Sequence, residues 1–110
     1  MSVSLIHNED APLQKLDETS GRKILAYNKD MMMVEVHFKA GGRGAVHTHP
    51  HVQCTYVRSG LFEFTVDGNP VIVGPGDSLA FNPNQPHGTL CLEEGILVDV
   101  FTPMREDFLK

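Results

Sequence analysis

The chain has 110 residues, of which 41% are hydrophobic and 21% charged, and its formal net charge is −5. This size fits one domain with a modest core, and the composition is that of a globular protein rather than a disordered or membrane-spanning chain. The acidic balance argues against a nucleic-acid partner, because a phosphate backbone requires a basic surface. No apolar run approaches the roughly 20 residues that cross a bilayer, and the N-terminus does not resemble a signal peptide. We therefore expect a cytoplasmic location and no membrane partner.

Short apolar runs between turn residues predict an all-β fold. The pattern predicts strands over 33–38, 62–66 and 71–73, and short helical segments over 11–15 and 105–109. Val34, Val36 and Phe38 share one face of the first strand, as in a strand with one buried side. Asp67 and Gly68 join the second and third strands, which is typical of a tight hairpin. Many short strands of this kind favour a sandwich or a closed barrel.

Three histidines and one glutamine, namely His47, His49, Gln53 and His87, form the most specific pattern of the chain. Neutral imidazole is the commonest protein ligand for a transition metal. The first three residues have the same parity along an extended chain, so their side chains are expected on one side, and His87 would complete the shell from another strand. The pattern predicts one divalent transition metal ion. Zinc, nickel, cobalt, manganese and iron are all compatible with these ligands.

Other candidate ligands are weaker. His51 shares the parity of the two preceding histidines and is the alternative to Gln53 as fourth ligand, but Pro50 should disturb regular strand geometry there. Cys54 has the opposite strand parity to the histidines, so it is unlikely as a ligand. In a cytosolic protein, two isolated cysteines are more often small buried hydrophobic residues than a disulfide.

Asp99 interrupts an apolar run over 96–101, in which Leu97, Asp99 and Phe101 share one face. If that face lines the interior, burial would raise the pKa of Asp99 and suit it to proton transfer. The alternative is a structural acid paired with an arginine. Arg105 follows the strand and could bind a carboxylate in two-pronged fashion, or could be an ordinary solvated charge beside acidic neighbours.

These motifs resemble those of the cupin family. The first cupin motif, G-x5-H-x-H-x3/4-E-x6-G, is matched over 41–60, with Gln53 where the family usually has Glu. The second, G-x5-P-x-G-x2-H-x3-N, falls over 76–91, with Asn82 at the proline position and Cys91 at the final asparagine position. Asn84 replaces a glycine and tolerates the same left-handed backbone. The resemblance implies one domain over 1–110, a small jelly-roll β-barrel with a metal in its mouth.

Three segments, over 22–27, 47–53 and 91–109, are similar to the narrower group of KdgF-like cupins of pectin degradation. That resemblance implies metal-dependent conversion of 4,5-unsaturated uronate monosaccharides, released by pectin or alginate lyases, to the linear keto form by ring opening and tautomerisation. It implies a small anionic sugar as substrate, Gln53 as the fourth metal ligand, Asp99 and Arg105 as catalytic residues, and Phe101 and Arg105 as substrate-binding residues. Small cupins commonly pair through their sheets, so a homodimer is expected.

Two other classes of function remain open at this point. The first is another metal-dependent cupin enzyme, a dioxygenase or a lyase, although Gln53 suits the carboxylate-containing triad of iron oxygenases poorly. The second is a non-catalytic cupin that binds a sugar or another metabolite.

Overall fold

The computed structural model describes residues 3–110, which form eight β-strands and two short 3-10 helices. The strands are β1 (Gln14–Asp17), β2 (Ser20–Tyr27), β3 (Met32–Phe38), β4 (Arg43–His47), β5 (Val52–Val66), β6 (Asn69–Val73), β7 (Ser78–Phe81) and β8 (His87–Thr102). The helices cover Asn8–Asp10 and Glu106–Leu109. Neither of these two helices is long or apolar enough to cross a membrane.

Two long strands, β5 and β8, take part in two sheets that face each other. Their halves over 52–59 and 95–102 form one sheet with β1, β2, β3 and β7. Their other halves, over 62–66 and 87–91, form a second sheet with β4 and β6. All of these pairings are antiparallel. The fold is therefore a small two-layered β-barrel.

The bend from one sheet to the other lies at Gly60 and Gly95. The β5–β8 register shifts around Gly60, whose φ of +86° is a conformation that residues with side chains rarely adopt. A Cβ atom at Gly60 would lie 2.6 Å from the carbonyl oxygen of Glu93, and a Cβ atom at Gly95 would collide with the backbone of Ser59. Two glycines thus allow the two strands to approach closely where they cross between the layers.

The core fills the space between the sheets. The larger cluster of buried apolar side chains consists of Phe38, Val57, Phe62, Phe64, Val73, Phe81, Cys91 and Leu97. A second cluster, formed by Met32, Val34 and Phe101, lies beside it. Alternation along β3, β5 and β8 supplies most of these residues, because every second side chain points inward. Cys54 is exposed, Cys91 is buried, and both are free.

The all-β prediction is confirmed, and the three predicted strands lie within β3, β5 and β6. The predicted hairpin turn is present, with φ of 51° at Asp67 and 80° at Gly68. Asn84 has a φ of 61°, as expected for an asparagine at a glycine position. The segment over 105–109 contains the second 3-10 helix. The helix predicted over 11–15 is wrong, since Gln14 already begins β1 and pairs with Arg22 of β2.

Candidate metal centre and its pocket

Three histidine rings meet at one end of the barrel. His47 ends β4, His87 begins β8, and the two are cross-strand partners. Their ring centroids are 4.6 Å apart, and that of His49 lies 5.5 Å from His47 and 5.1 Å from His87. The nitrogen atoms that the three residues could offer to an ion all lie within 4.8 Å of one another. The three histidines could therefore hold a metal ion.

Backbone carbonyl groups set the orientation of all three rings. The Nδ1 atoms of His47, His49 and His87 lie 2.8, 3.1 and 2.8 Å from the carbonyl oxygens of residues 45, 51 and 85. A carbonyl oxygen only accepts a hydrogen bond, so each Nδ1 carries a proton, which leaves Nε2 as the ring atom that could bind an ion. Histidines that ligate metals in proteins are commonly fixed in this way. The Nε2 atom of His87 is buried and has no partner among the described residues, which fits a ligand atom.

Gln53 lies against this cluster and is almost fully buried. Its Oε1 atom is 2.8 Å from Nε2 of His49. Burial lowers the pKa of His49, which favours the neutral ring. With the proton on Nδ1, the Nε2 atom and the amide oxygen are both acceptors, as two ligand atoms of one cation would be. This donor set of imidazole nitrogens and one amide oxygen fits a divalent transition metal.

The structure brings His47, His49 and Gln53 together in a different way from the strand alternation that the sequence predicted. His47 ends β4, His49 lies in the loop over 48–51, and Gln53 is on β5, so no single strand carries all three. The loop, rather than strand alternation, turns His49 towards the other two rings. His51 lies outside the three-histidine group and lines a separate surface depression with Lys29, Pro103, Met104, Glu106 and Asp107.

Asp99 lies inside the barrel and is 9% exposed. Its Oδ1 atom accepts a hydrogen bond of 2.6 Å from the hydroxyl group of Thr55, which in turn accepts one of 2.9 Å from the amide of Gln53. Burial raises the pKa of Asp99 to about 6, although hydrogen bonds from Thr55 and Gln53 and the positive charge of Arg105 oppose the rise. A carboxyl group with such a pKa can both accept and donate a proton near neutral pH.

Thr55 was missed in the sequence, although it is 1% exposed and links Gln53 to Asp99. The position of Thr55 in the sequence is the signal that could have identified it. It is two residues after Gln53, on the same face of β5, and it is the cross-strand partner of Asp99. The three side chains form a continuous hydrogen-bonded row across the interior face of the sheet.

Phe101 and Arg105 complete one wall of the site. Phe101 is 3% exposed, its ring centroid lies 5.7 Å from that of His49, and the guanidinium carbon of Arg105 lies 5.0 Å from its ring centroid. Arg105 is 9% exposed, and its Nε and Nη2 atoms donate to both carboxylate oxygens of Asp107 at 3.0 and 2.8 Å. Arg105 is thus a buried and oriented cation, not a freely solvated one.

A cavity of about 280 Å³ joins these groups. Its wall includes His47, Gln53, His87, Asp99, Phe101 and Arg105, together with Arg22 and Phe108, which the sequence did not single out. A larger groove of about 510 Å³ lies along β1 and the end of β3, but none of the candidate site residues line it. The polar and titratable groups therefore converge on the smaller cavity, where a molecule of monosaccharide size would meet the histidine cluster and the buried carboxyl group together.

Comparison with known proteins agrees with this geometry. The cupin domain family matches residues 34–101. The chain is 40% identical over 104 residues to the pectin degradation protein KdgF of Dickeya dadantii (strain 3937). The aligned region covers 93% of this chain and 94% of that protein. Among solved structures it is similar to KdgF from Halomonas sp., with 33% identity, a TM-score of 0.93 and coverage of 97% and 99% of the two chains. An RmlC-like cupin from Shewanella frigidimarina is 36% identical, with a TM-score of 0.92 and coverage of 97% and 96%.

Proposed function

The chain belongs to the cupin domain family, and from this premise we propose that it converts 4,5-unsaturated uronate monosaccharides to their linear keto form by ring opening and tautomerisation. One observation carries the proposal. The histidine cluster, the amide of Gln53 and the buried carboxyl group of Asp99 meet in one cavity of about 280 Å³, large enough for a single sugar. The likeness to two KdgF proteins over almost the whole chain supports the same reaction.

His47, His49, Gln53 and His87 are the proposed ligands of one divalent transition metal ion. The Nε2 atoms of the three histidines and the amide oxygen of Gln53 support this set of four ligands. We place His51 at the rim of the site, outside the ligand set. Such an ion supplies Lewis-acid stabilisation of negative charge on a substrate oxygen. Gln53 is neutral and cancels none of the positive charge at the site, whereas a carboxylate ligand would cancel part of it.

The reaction requires one proton to move. In the closed sugar, the ring oxygen joins C1, which carries a hydroxyl group, to C5 of the C4=C5 double bond. Removal of the hydroxyl proton forms the C1 aldehyde and breaks the bond between C1 and the ring oxygen, which leaves an enolate at C5. Protonation at C4 then gives the C5 ketone. Asp99 accepts the first proton and returns one to C4, so the overall change is an isomerisation that needs no co-reactant.

Arg105 and Phe101 orient the substrate. Arg105 directs a buried positive charge into the cavity and is held in place by Asp107, so it is suited to bind the sugar carboxylate. Phe101 forms an apolar wall beside His49, against which the sugar ring can lie. Neither residue needs to change conformation for these roles.

The test is an assay with a purified unsaturated uronate monosaccharide, followed by loss of its ultraviolet absorbance. The metal-loaded protein should accelerate the loss well above the reaction without protein. Asp99→Ala should abolish the acceleration while the metal content, measured by mass spectrometry, stays at the wild-type level. Asp30→Ala, which alters an exposed aspartate, is the control. Full activity of Asp99→Ala would remove Asp99 from the mechanism, and no acceleration by the wild type would refute the proposed function.

We also propose that the protein is a cytoplasmic homodimer. The outer face of β3, β8 and β5 carries apolar side chains in two adjacent rows, in which Met33 lies beside Val100, and Val98 beside Tyr56. Met33 is 41% and Tyr56 50% exposed, so this sheet face presents large apolar side chains to solvent. Tyr56→Glu should yield monomers in analytical ultracentrifugation, whereas Ile72→Glu on β6 should not. Dimers in both variants would place the interface elsewhere.

A further inference from the structure

Two guanidinium groups share one aromatic ring at the wall of the cavity. The guanidinium carbon of Arg22, on β2, lies 3.8 Å from the ring centroid of Phe108, and that of Arg105 lies 4.2 Å from the same centroid. Phe108 packs edge-on against Phe101 at 5.6 Å. Since both distances are measured to one point, the two cationic carbons can be no farther apart than their sum. Phe108 thus contacts both guanidinium groups through cation–π interactions and keeps them near each other at the cavity wall.

The two arginines differ in how their charge is compensated. Arg105 donates two hydrogen bonds to the carboxylate of Asp107. Arg22 donates from Nε to the neutral side chain of Gln14 at 3.3 Å, and within residues 3–110 it forms no ion pair. Its two terminal nitrogen atoms have no hydrogen-bond partner in that part of the chain. Arg22 is therefore a partly buried cation at the cavity wall that forms no direct ion pair with a carboxylate of residues 3–110.

A partly buried guanidinium group with unused hydrogen-bond donors is costly until an anion arrives. Burial lowers the pKa of Arg22; the carboxylate of Asp107 opposes this effect, and the smaller effect of the neighbouring Arg105 adds to it. The cavity without a ligand thus holds two guanidinium groups that share the carboxylate of Asp107 in a partly desolvated setting. An anionic ligand in contact with Arg22 would offset its loss of hydration and would form charge-assisted hydrogen bonds with its unused donors.

We infer that Arg22 is a second carboxylate-binding residue, which holds the substrate carboxylate together with Arg105 and makes the cavity selective for uronates over neutral sugars. The inference rests on the proposed function for the identity of the substrate. It does not depend on turnover, because binding of a carboxylate sugar is measurable without any reaction. Phe108 acts as the positioning residue that sets the spacing of the two guanidinium groups.

The test compares two stable sugars as probes, galacturonate, which has a carboxylate, and galactose, which has none. Titration calorimetry with wild-type protein should give tighter binding of galacturonate. Arg22→Gln should weaken galacturonate binding by about tenfold to a hundredfold, the cost of losing hydrogen bonds to a charged group, and should leave galactose binding unchanged. Arg22→Lys keeps the charge without the planar fork and should recover part of the loss. Arg58→Gln, on the outer face of β5, removes the same charge outside the cavity and should bind both sugars as the wild type does.

Kinetics with the unsaturated uronate separate this inference from the proposed function. Arg22→Gln should raise KM by a similar factor while kcat stays within about threefold of the wild type, because the group binds the carboxylate in both the ground state and the transition state. A wild-type protein that turns over the substrate, with an Arg22→Gln variant that binds galacturonate equally well, would overturn the inference alone. A wild-type protein that binds galacturonate no better than galactose would also overturn it. Selective galacturonate binding that depends on Arg22, without turnover, would uphold it while the proposed reaction fails.

Discussion

Replacing Asp99 with asparagine should stabilise the metal-free protein while it abolishes turnover. Asp99 is 9% exposed and its pKa is raised by burial from the ordinary 3.8 to about 6. The folded state therefore holds this carboxyl group in a setting that disfavours its charge. An asparagine at this position would keep the shape and the oxygen that accepts from Thr55 but carry no charge. At about 1.4 kcal/mol for each pKa unit, the ionised carboxylate costs the folded state about 3 kcal/mol at neutral pH.

The raised pKa of Asp99 determines how the difference in stability between wild type and Asp99→Asn should change with pH. Because the folded-state pKa lies above the unfolded one, the folded protein binds more protons between pH 3.8 and about 6, so stability falls as the pH rises through that window. Well below pH 3.8 the group is protonated in both states and the cost disappears. The advantage of Asp99→Asn should therefore be well under about 1 kcal/mol at pH 4 and should reach about 3 kcal/mol at pH 7.

Urea denaturation of the metal-free proteins, followed by circular dichroism at several pH values, measures this effect. A gain of about 3 kcal/mol should raise the urea midpoint by about 1–3 M at pH 7 for the usual range of slopes. Asp30→Asn, at an exposed aspartate, should change the midpoint little at any pH. Equal stability of wild type and Asp99→Asn at pH 7, or a gain that is as large at pH 4, would refute the reasoning that burial of this carboxylate is costly.

Three further variants test the site and the fold. Thr55→Val should lower metal affinity by about 10- to 100-fold and reduce kcat, because it removes the hydrogen bonds to Gln53 and Asp99, and Thr55→Ser should restore both properties. Calorimetry with zinc measures the affinity, and the absorbance assay measures kcat. An unchanged metal affinity of Thr55→Val would refute the role of Thr55 in positioning Gln53. His87→Ala should lower metal affinity by more than Thr55→Val does. A chelator should lower the melting temperature of the wild type but not that of His87→Ala, and an equal drop in the variant would argue against His87 as a metal ligand. Gly95→Ala should prevent folding or strongly lower the melting temperature, because the added Cβ atom would collide with the backbone of β5. A melting curve like that of the wild type would show that β5 and β8 can move apart at this point.

Much of the architecture follows from local signals in the sequence. Alternation in β3 and the Asp-Gly turn before β6 determine which side chains face the core, and each of these signals is contained within a few residues. The helix expected over 11–15 fails for the opposite reason. Gln14 lies in a strand because β2 offers it a pairing edge, and short-range propensity does not report a partner eight residues away.

The site was predictable to the extent that its residues form motifs. The histidine spacing identified His47, His49 and His87 as a group, although the loop that turns His49 inward could not be inferred from parity. Thr55 was within reach of the same argument, because it shares the face of Gln53. Arg22 and Phe108 were not, since their contact joins β2 to the C-terminal helix, 86 residues along the chain, and no local pattern marks such a pair.

The most direct test of the account is the fate of the proton at C4, followed by nuclear magnetic resonance in deuterated water. Metal-loaded protein, at a concentration that outpaces the spontaneous reaction at least about tenfold, should give product with deuterium on one face of C4 at early times, since Asp99 approaches the bound sugar from one side. Equal deuterium on both faces, formed at the rate seen without protein, would mean that the barrel plays no part in the tautomerisation.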